Sequence, residues 1–571
     1  VSFILGLSGL YHDSAAVLLR DGHVVAAASE ERFSRVKNDP ALPVQAARWC
    51  LEHAHIRADQ LDHVTWYEKP LRRFERQLVS QVRTFPRSLT AFRRSTHNWL
   101  TDKLWVKSAI AAGIGIRPDR ILFSEHHLSH AASAFYASPF PEAAVLTVDG
   151  VGEWATTGLW RAGPKGIEPL AEIRFPDSLG LVYSAFTAYL GFSVNDGEYK
   201  VMGMAGFGTP RFEEEVRRVL RLSADGSFTV DRKYVAWEWS ADEAYTPAFE
   251  ALFGPARFPG TPFDPSTPDG RRWADVAASV QKVTEDALLG LARALHDRTG
   301  LDALCLAGGV ALNGVANRRL LAEGPFRKLY VQPAAGDAGG AMGAAFWTWH
   351  EVLGGDRAPP LATAGLGREW DDATIGRLLD DLRVTHEHLG EAVVDRAAED
   401  LAAGLTVGWF QGRFEWGPRA LGFRSILADP RRAEMRDHLN EKIKFRELFR
   451  PFAPSVAAGF EHRWFDMPQG GDLATEWMLL VAPVKTDVLP ATTHVDGTAR
   501  VHRVTATANP RFHALLTRFG ELSGVPALLD TSFNLKGEPI VSSPVQALAT
   551  FQRSGLDVLY LGGHRVERPE S

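Results

Sequence analysis

Between residues 303 and 353, apolar strand runs alternate with glycine turns and helical patterns: ALCLAGG, VALNGVANRRLL, KLYVQP, AAGDAGGAMG and AAFWTWHEVL. A strand that feeds a glycine turn and then a helix, repeatedly, requires parallel pairing with helices laid over the sheet, so the fold class is α/β. At 571 residues the chain exceeds what one core sustains and divides into at least two domains. The stretch GGDRAPPLATAGLG, residues 354–367, combines Pro, Gly and small residues between patterned regions and is the expected linker. It sets one domain at residues 1–354 and a second α/β domain at 368–571.

The N-terminal runs FILGLSG, SAAVLLRDG and HVVAAASEERF read as strands, with Asp-Gly as the hairpin turn. A helix, PVQAARWCLEHAHI, follows, and a long helix is expected from residue 271 to 298. Residues 66–116 are rich in Arg, Phe and Trp and read as an inserted amphipathic helical cap with a role as a substrate lid; a solvated basic face over a packed aromatic stripe is favoured over the alternative, nucleic-acid or membrane binding. Residues 223–268 are irregular and are expected to cover a surface or cleft.

A formal net charge of −6 gives no global attraction for nucleic acid or an anionic membrane, so any polyanion site is local. Cys50 and Cys305 are the only cysteines and sit in apolar runs, which excludes a disulfide framework and a Cys-rich zinc module and points to the cytoplasm. The first residues read as strands and not as a signal peptide, and no run approaches a membrane span.

His126 and His130, four residues apart in SEHHLSHAASAF, share one helical face, and Asp149 ends the apolar run AAVLTVDG. Two histidines and a carboxylate form a set for iron or another divalent metal, with zinc as the rival; Asp337, in the turn GDAGGAMG, is the expected fourth ligand. No Glu lies between the histidines to serve as the base of a metalloprotease. Three glycine turns, at Gly150, at Gly308 and Gly309 with Asn313, and at Gly339 and Gly340, can cradle phosphate oxygens and fit a bilobal ATPase-type fold that clamps a nucleotide. In the second domain Arg413, Arg419, Arg424, Lys442, Lys444, Arg446 and Arg450 lie in one short stretch among Gly, Pro, Phe and Trp. Guanidinium forks in such a setting face a small anion: phosphate, carbamoyl phosphate or the triphosphate of ATP. LLDTSFNLKGEPIV adds Thr531, Ser532, Asn534 and Lys536, and Arg503 is assigned to the same ligand.

The segments HDSAAVLL, EERFSRVKND, HHLSHAASAFY, VDGVGEW, GEYKVMGMAGFG, LAGGVALNGVAN, GDAGGAMGAA, WGPRALGFRSIL, FRPFAPSV, HVDGTARV and LDTSFNLKGEPIV together resemble the O-carbamoyltransferases of the NodU, CmcH and TobZ type, over nearly the whole chain. The resemblance implies an actin-like, sugar-kinase-type N-terminal domain similar to the tRNA threonylcarbamoyl transferase, joined to a YrdC-like C-terminal domain. It implies that Mg-ATP and carbamoyl phosphate form carbamoyl adenylate in the C-terminal domain, with Arg419 and Arg450 catalytic. The carbamoyl group then passes to a hydroxyl of a sugar-containing acceptor, a glycoside or aminoglycoside in antibiotic or other natural-product tailoring. His126, His130, Asp149 and Asp337 match the Fe(2+) positions, His12 matches a histidine beside the acceptor, and Lys200 falls in the nucleotide-binding set. Where relatives commonly carry LAPYG after KVMG, this chain has MAGFG. The competing readings are a threonylcarbamoyl-type transferase acting on tRNA and a non-catalytic nucleotide or sugar sensor on the same fold; two cysteines cannot furnish the zinc modules of a hydrogenase-maturation enzyme.

Overall fold

A computed structural model describes residues 1–101, 103–447 and 449–568. The chain falls into two compact units, one of residues 1–25 and 40–360, the other of residues 26–39 and 361–571.

Two five-stranded sheets repeat one topology; their strands belong to the first unit except the last four residues of the third strand, 26–29, which fall in the second. Strands β1 (Phe3–Ser8), β2 (Ala15–Arg20), β3 (His23–Ser29), β4 (His63–Trp66) and β5 (Ile121–Phe123) form a sheet ordered β3-β2-β1-β4-β5. The Asp21-Gly22 turn joins β2 to β3 with both residues at positive φ, 49° and 80°, the conformation a two-residue hairpin requires. Strands β6 (Ala143–Val148), β7 (Ala155–Gly163) and β8 (Gly166–Arg174) follow, and then a two-stranded ribbon of β9 (Leu220–Leu222) and β10 (Phe228–Val230). With β11 (Ala303–Ala307) and β12 (Lys328–Val331), the second sheet reads β8-β7-β6-β11-β12, the same order in its own strands. In both sheets the first strand pairs antiparallel with the second and parallel with the fourth. This duplication is the actin-like arrangement.

The helix Pro268–Thr299 has its boundaries written locally: the Thr267 hydroxyl accepts from the Gly270 amide, Pro268 occupies the first turn, and Gly300 closes the end in the left-handed region at φ 65°. The expected cap over residues 66–116 is helical, as Pro70–Arg83 and Leu89–Thr101, but Trp66 belongs to the end of β4 and is buried. Phe74 packs on buried Trp99, as a packed stripe demands. The first helix is otherwise inverted: its buried residues are Arg73, Arg76, Ser80 and Gln81, while Leu71, Leu78 and Val82 are exposed.

The second unit holds a nine-stranded mixed sheet of β13 (Glu387–His388), β14 (Val407–Phe410), β15 (Arg424–Ala428), β16 (Ala453–Ala457), β17 (Leu480–Pro483), β18 (Thr498–Val504), β19 (Ala527–Ser532), β20 (Val558–Leu561) and β21 (His564–Glu567), ordered β13-β21-β20-β14-β15-β19-β16-β18-β17. Alternation along the strands sorts side chains onto two cores. Val407, Trp409, Leu427, Val558 and Tyr560 pack with the helices Val393–Ala403 and Pro510–Ser523. Phe410, Ile426, Ala428, Leu559 and Leu561 pack with Asp372–Asp381 and Pro544–Arg553. Residues 26–39, which the sequence reading left in the N-terminal domain, belong here: Arg32 lies 3.8 Å from buried Glu415, and Arg35 donates to the carbonyls of Ile540 (2.7 Å) and Pro539 (2.8 Å).

Candidate metal centre and anion cluster

Two helices and one strand end bring the four expected metal ligands together in the first unit. His126 and His130 lie one turn apart on the helix His126–Phe135, Asp149 follows β6, and Asp337 opens the helix Asp337–Trp347. The two helices touch because Gly343 has no side chain, since a Cβ there meets the Ser129 carbonyl oxygen at 1.7 Å.

Asp149 Oδ2 lies 2.9 Å from His126 Nε2 and 3.0 Å from His130 Nε2, and the two Nε2 atoms are 3.1 Å apart. Asp337 Oδ1 is 3.6 Å from each Nε2, and all four ligand atoms fall within 4.8 Å of one another. Ligands held about 2.1 Å from one ion at right angles stand about 3.0 Å apart, so the donor set fits a divalent transition metal. Burial alone opposes charge here, but paired opposite charges overrule it. Burial lowers the His130 pKa, yet hydrogen bonds to Asp149 and Asp337 carry it up to about 9. Burial raises Asp149, and the two imidazoles bring it well below the usual carboxylate range.

His12 stands beside this set. Its Nε2 is 3.7 Å from Asp337 Oδ2 and its Nδ1 is 2.9 Å from Asp13 Oδ2. Leu10 and Asp13, at φ 62° and 52°, hold the loop in the left-handed region that non-glycine residues rarely adopt. Burial lowers the His12 pKa, and the Asp337 charge together with the Asp13 hydrogen bond raises it to about 9.

The glycine turns serve this centre. Asp149 Oδ1 accepts from the amides of Gly150 (2.8 Å) and Gly309 (3.1 Å), which turns Oδ2 toward the histidines. These two amides were expected to hold a phosphate, and they orient a ligand instead. The Gly308 amide donates to the Ala335 carbonyl, and Asn313 caps the helix Gly314–Glu323 while exchanging amide hydrogen bonds with Gln281. Gly339 and Gly340 lie inside the helix Asp337–Trp347, and Gly340 leaves room for the Tyr67 ring. Lys200 is half-buried with its ammonium 5.5 Å from the Phe192 ring centre.

In the second unit the cationic stretch separates into two groups. Arg424, stacked 3.6 Å from the Phe410 ring centre, donates to the carbonyls of Gln411, Gly412, Phe423 and Arg368, so it staples loops and does not face an anion. Arg413 likewise donates to the Gly367 and Leu366 carbonyls, and Lys442 is exposed. Lys444 is buried, and its ammonium donates to the Ser532 and Asn534 carbonyls (2.7 and 2.8 Å) and to Asn534 Oδ1 (2.7 Å). Burial pushes its pKa well down, and the charges of Arg446, Arg450 and Lys37 add to the shift. Ser532 Oγ donates to Asn534 Oδ1 (2.7 Å), and Thr531 is half-buried at the end of β19.

Arg503 is neutralised by Glu461 (2.9 Å) and Glu476 (2.8 Å). Its neighbour Arg500 is the residue whose pKa falls well below normal, through burial and then the charges of Arg419, Arg446 and Arg450. On β18 the positions 500 and 503 point to opposite faces, so the choice between them needed the strand register. Sequence reasoning also missed Glu153, whose carboxylate accepts from the amides of His126 (3.1 Å) and Lys69 (2.7 Å) at the start of the histidine helix. The VDGVGEW motif contains it, and an acid near a helix N-terminus was the available signal.

The family model described as carbamoyltransferase N-terminus matches residues 3–346, and that described as carbamoyltransferase C-terminus matches residues 398–568. The chain is 44% identical to an uncharacterized protein of Synechocystis sp., over 98% of this chain and 96% of that one. It is 37% identical to nodulation protein NolNO of Sinorhizobium fredii (98% and 79%), and 33% identical to the 3'-hydroxymethylcephem-O-carbamoyltransferase of Amycolatopsis lactamdurans (47% and 49%). Among solved structures, HypF from T. kodakarensis aligns over 62% of this chain and 48% of that one at 15% identity and a TM-score of 0.32. The two matched models and these full-length identities establish that the chain belongs to the carbamoyltransferase family.

Proposed function

We propose that the protein is an ATP-dependent O-carbamoyltransferase working in two half-reactions. In the second unit Arg446, Arg450, Arg419 and Arg500 bind carbamoyl phosphate and the triphosphate of Mg-ATP, and Lys444 holds the turn of Ser532 and Asn534 in their field. Burial first, and the like charges around them second, depress the pKa values of Lys444 and Arg500, and phosphate oxygens entering among these cations relieve the repulsion. Water first cleaves carbamoyl phosphate to carbamate and phosphate; a carbamate oxygen then bonds to the α-phosphorus of ATP, the bond from that phosphorus to the α,β-bridging oxygen breaks, and carbamoyl adenylate and pyrophosphate are the products.

In the first unit His126, His130, Asp149 and Asp337 hold a divalent cation, Fe(2+) by family resemblance. When bound, such an ion supplies positive charge that polarises a carbamoyl oxygen and cancels the Asp337 field on His12. His12 donates from Nδ1 to Asp13, which fixes the tautomer whose Nε2 takes the acceptor hydroxyl proton. The acceptor oxygen then bonds to the carbamoyl carbon, the bond from that carbon to the adenylate oxygen breaks, and AMP leaves. The acceptor is a hydroxyl-bearing small molecule of the glycoside type.

The observation that carries this reading is the four-ligand cluster with His12 beside it, in a chain matched to carbamoyltransferase models at both ends. The test is release of AMP and pyrophosphate from ATP with and without carbamoyl phosphate. Turnover that ignores carbamoyl phosphate removes the proposal.

A further inference from the structure

The helix Pro70–Arg83 presents its apolar stripe outward. At 100° per residue Leu71, Leu78 and Val82 fall within 40° of one another, and they are 73%, 37% and 64% exposed. Phe85 (66%) and Leu89 (39%) continue the patch into the next helix. Its opposite face is buried and polar. Arg73 bonds Glu68 at 2.6 Å and lies over the Tyr11 ring, Arg76 lies over Phe175, and Gln81 bonds Ser95. A helix that buries two guanidinium groups and exposes three large apolar side chains, with two more just beyond it, is stable in use only when something apolar covers the outer face.

Charge identifies the cover. Residues 70–101 contain seven arginines and one glutamate, in a chain of formal net charge −6. Arg83, Arg87 and Arg93 are exposed and make no ion pair among the described residues. A second copy of this face would set arginine against arginine. An interfacial helix on an anionic bilayer needs this combination, apolar side chains flanked by basic ones. We propose that the outer face of the Pro70–Arg83 and Leu89–Thr101 helices docks on an anionic lipid surface. The inner face of the first helix reaches the loop that carries His12, through Arg73 over Tyr11. Docking therefore sets the loop that carries His12 about one helix diameter, roughly 10 Å, from the lipid. The proposal stands without the transfer chemistry proposed above.

The test is flotation of the full chain with vesicles of phosphatidylcholine alone and of phosphatidylcholine with phosphatidylglycerol, at low and high salt. The expected result is recovery with the anionic vesicles only, weakened by salt. Leu71→Glu/Val82→Glu/Phe85→Glu abolishes recovery, and Arg83→Gln/Arg87→Gln/Arg93→Gln weakens it about a hundredfold. Both variants alter exposed side chains only, and unchanged melting and carbamoyl-phosphate-dependent AMP release confirm that each is folded. Three outcomes overturn the proposal: no recovery of the wild type with anionic vesicles, equal recovery of both variants, or a wild-type dimer that the glutamate variant converts to monomer without any vesicle binding. The last would assign the face to a contact between copies of the chain.

Discussion

Arg503→Gln and Arg500→Gln, three residues apart on one strand, should have opposite consequences. Arg503 donates to Glu461 at 2.9 Å and to Glu476 at 2.8 Å, and the Glu461 side chain is 3% exposed. Its loss leaves the Glu461 charge buried with the Gly459 amide, at 2.6 Å, as its remaining hydrogen-bond donor. Breaking a fully buried pair costs about 3–5 kcal/mol. Arg503 is 21% exposed, so water takes up part of that and about 2–3 kcal/mol remains. For a unit of this size the cost lowers Tm by about 5–10 °C. Arg500 instead sits in the field of Arg419, Arg446 and Arg450, and removing its charge relieves repulsion, so melting is unchanged or rises. The same change removes one charge-assisted contact to the phosphate and raises KM for carbamoyl phosphate about ten- to a hundredfold. Calorimetry and pyrophosphate release, run on both variants, separate the two. Wild-type melting with lost turnover in Arg503→Gln, together with an unchanged KM in Arg500→Gln, would show that Arg503 faces the ligand and that the assignment by strand face is wrong.

His126→Ala/His130→Ala should lose bound divalent metal, measured by elemental analysis, while pyrophosphate release in the second unit stays near wild type. Gly343→Val forces side-chain atoms into the Ser129 carbonyl and should lower Tm of the first unit by more than 5 °C, roughly the effect of a few kcal/mol of overpacking. His350 is stacked on Tyr136 with ring centres 3.9 Å apart; burial first and the Arg357 charge second lower its pKa to about 4 from an ordinary 6.5. The folded state therefore resists protonation, and this contribution to stability is full above pH 6.5 and lost as pH falls toward 4. Melting between pH 7 and 4.5 should fall less steeply in His350→Gln than in wild type.

What was legible in the chain followed from local chemistry. The Asp-Gly hairpin and the i, i+4 histidines are each written in a few adjacent residues and stand where the residues indicate, whereas the long helix starts at Pro268, three residues before the expected 271, because Thr267 caps it. The four ligands converge because the topology returns Asp149 and Asp337 to the histidine helix, and the family resemblance supplied that non-local step. The failures are also physical. Gly150 and Gly309 look like phosphate-binding amides until the Asp149 side chain is seen to claim them. Arg424 looks like an anion ligand among arginines, yet backbone carbonyls take the donors of both its terminal nitrogens. The apolar stripe of Pro70–Arg83 has the period of a buried face and lies outside, because Glu68, Tyr11 and Phe175 hold its arginines within.

The membership of residues 26–39 in the second unit carries a timing cost during synthesis. Arg32 waits for Glu415, which is 383 residues later in the chain, and Arg35 for Pro539 and Ile540, more than 500 residues later. At about 5–20 residues per second, roughly 20–80 s separate Arg32 from the earliest of these partners. Throughout that interval a short segment with three basic side chains, Arg32, Arg35 and Lys37, emerges from the ribosome without its permanent neighbours. The second unit therefore cannot finish before the last strands are made, and a ribosome that stalls late leaves its N-terminal segment unplaced. Transplanting residues 361–571 alone into another protein would leave out Arg32 and Arg35, and with them the hydrogen bonds to the carbonyls of Glu415, Pro539 and Ile540.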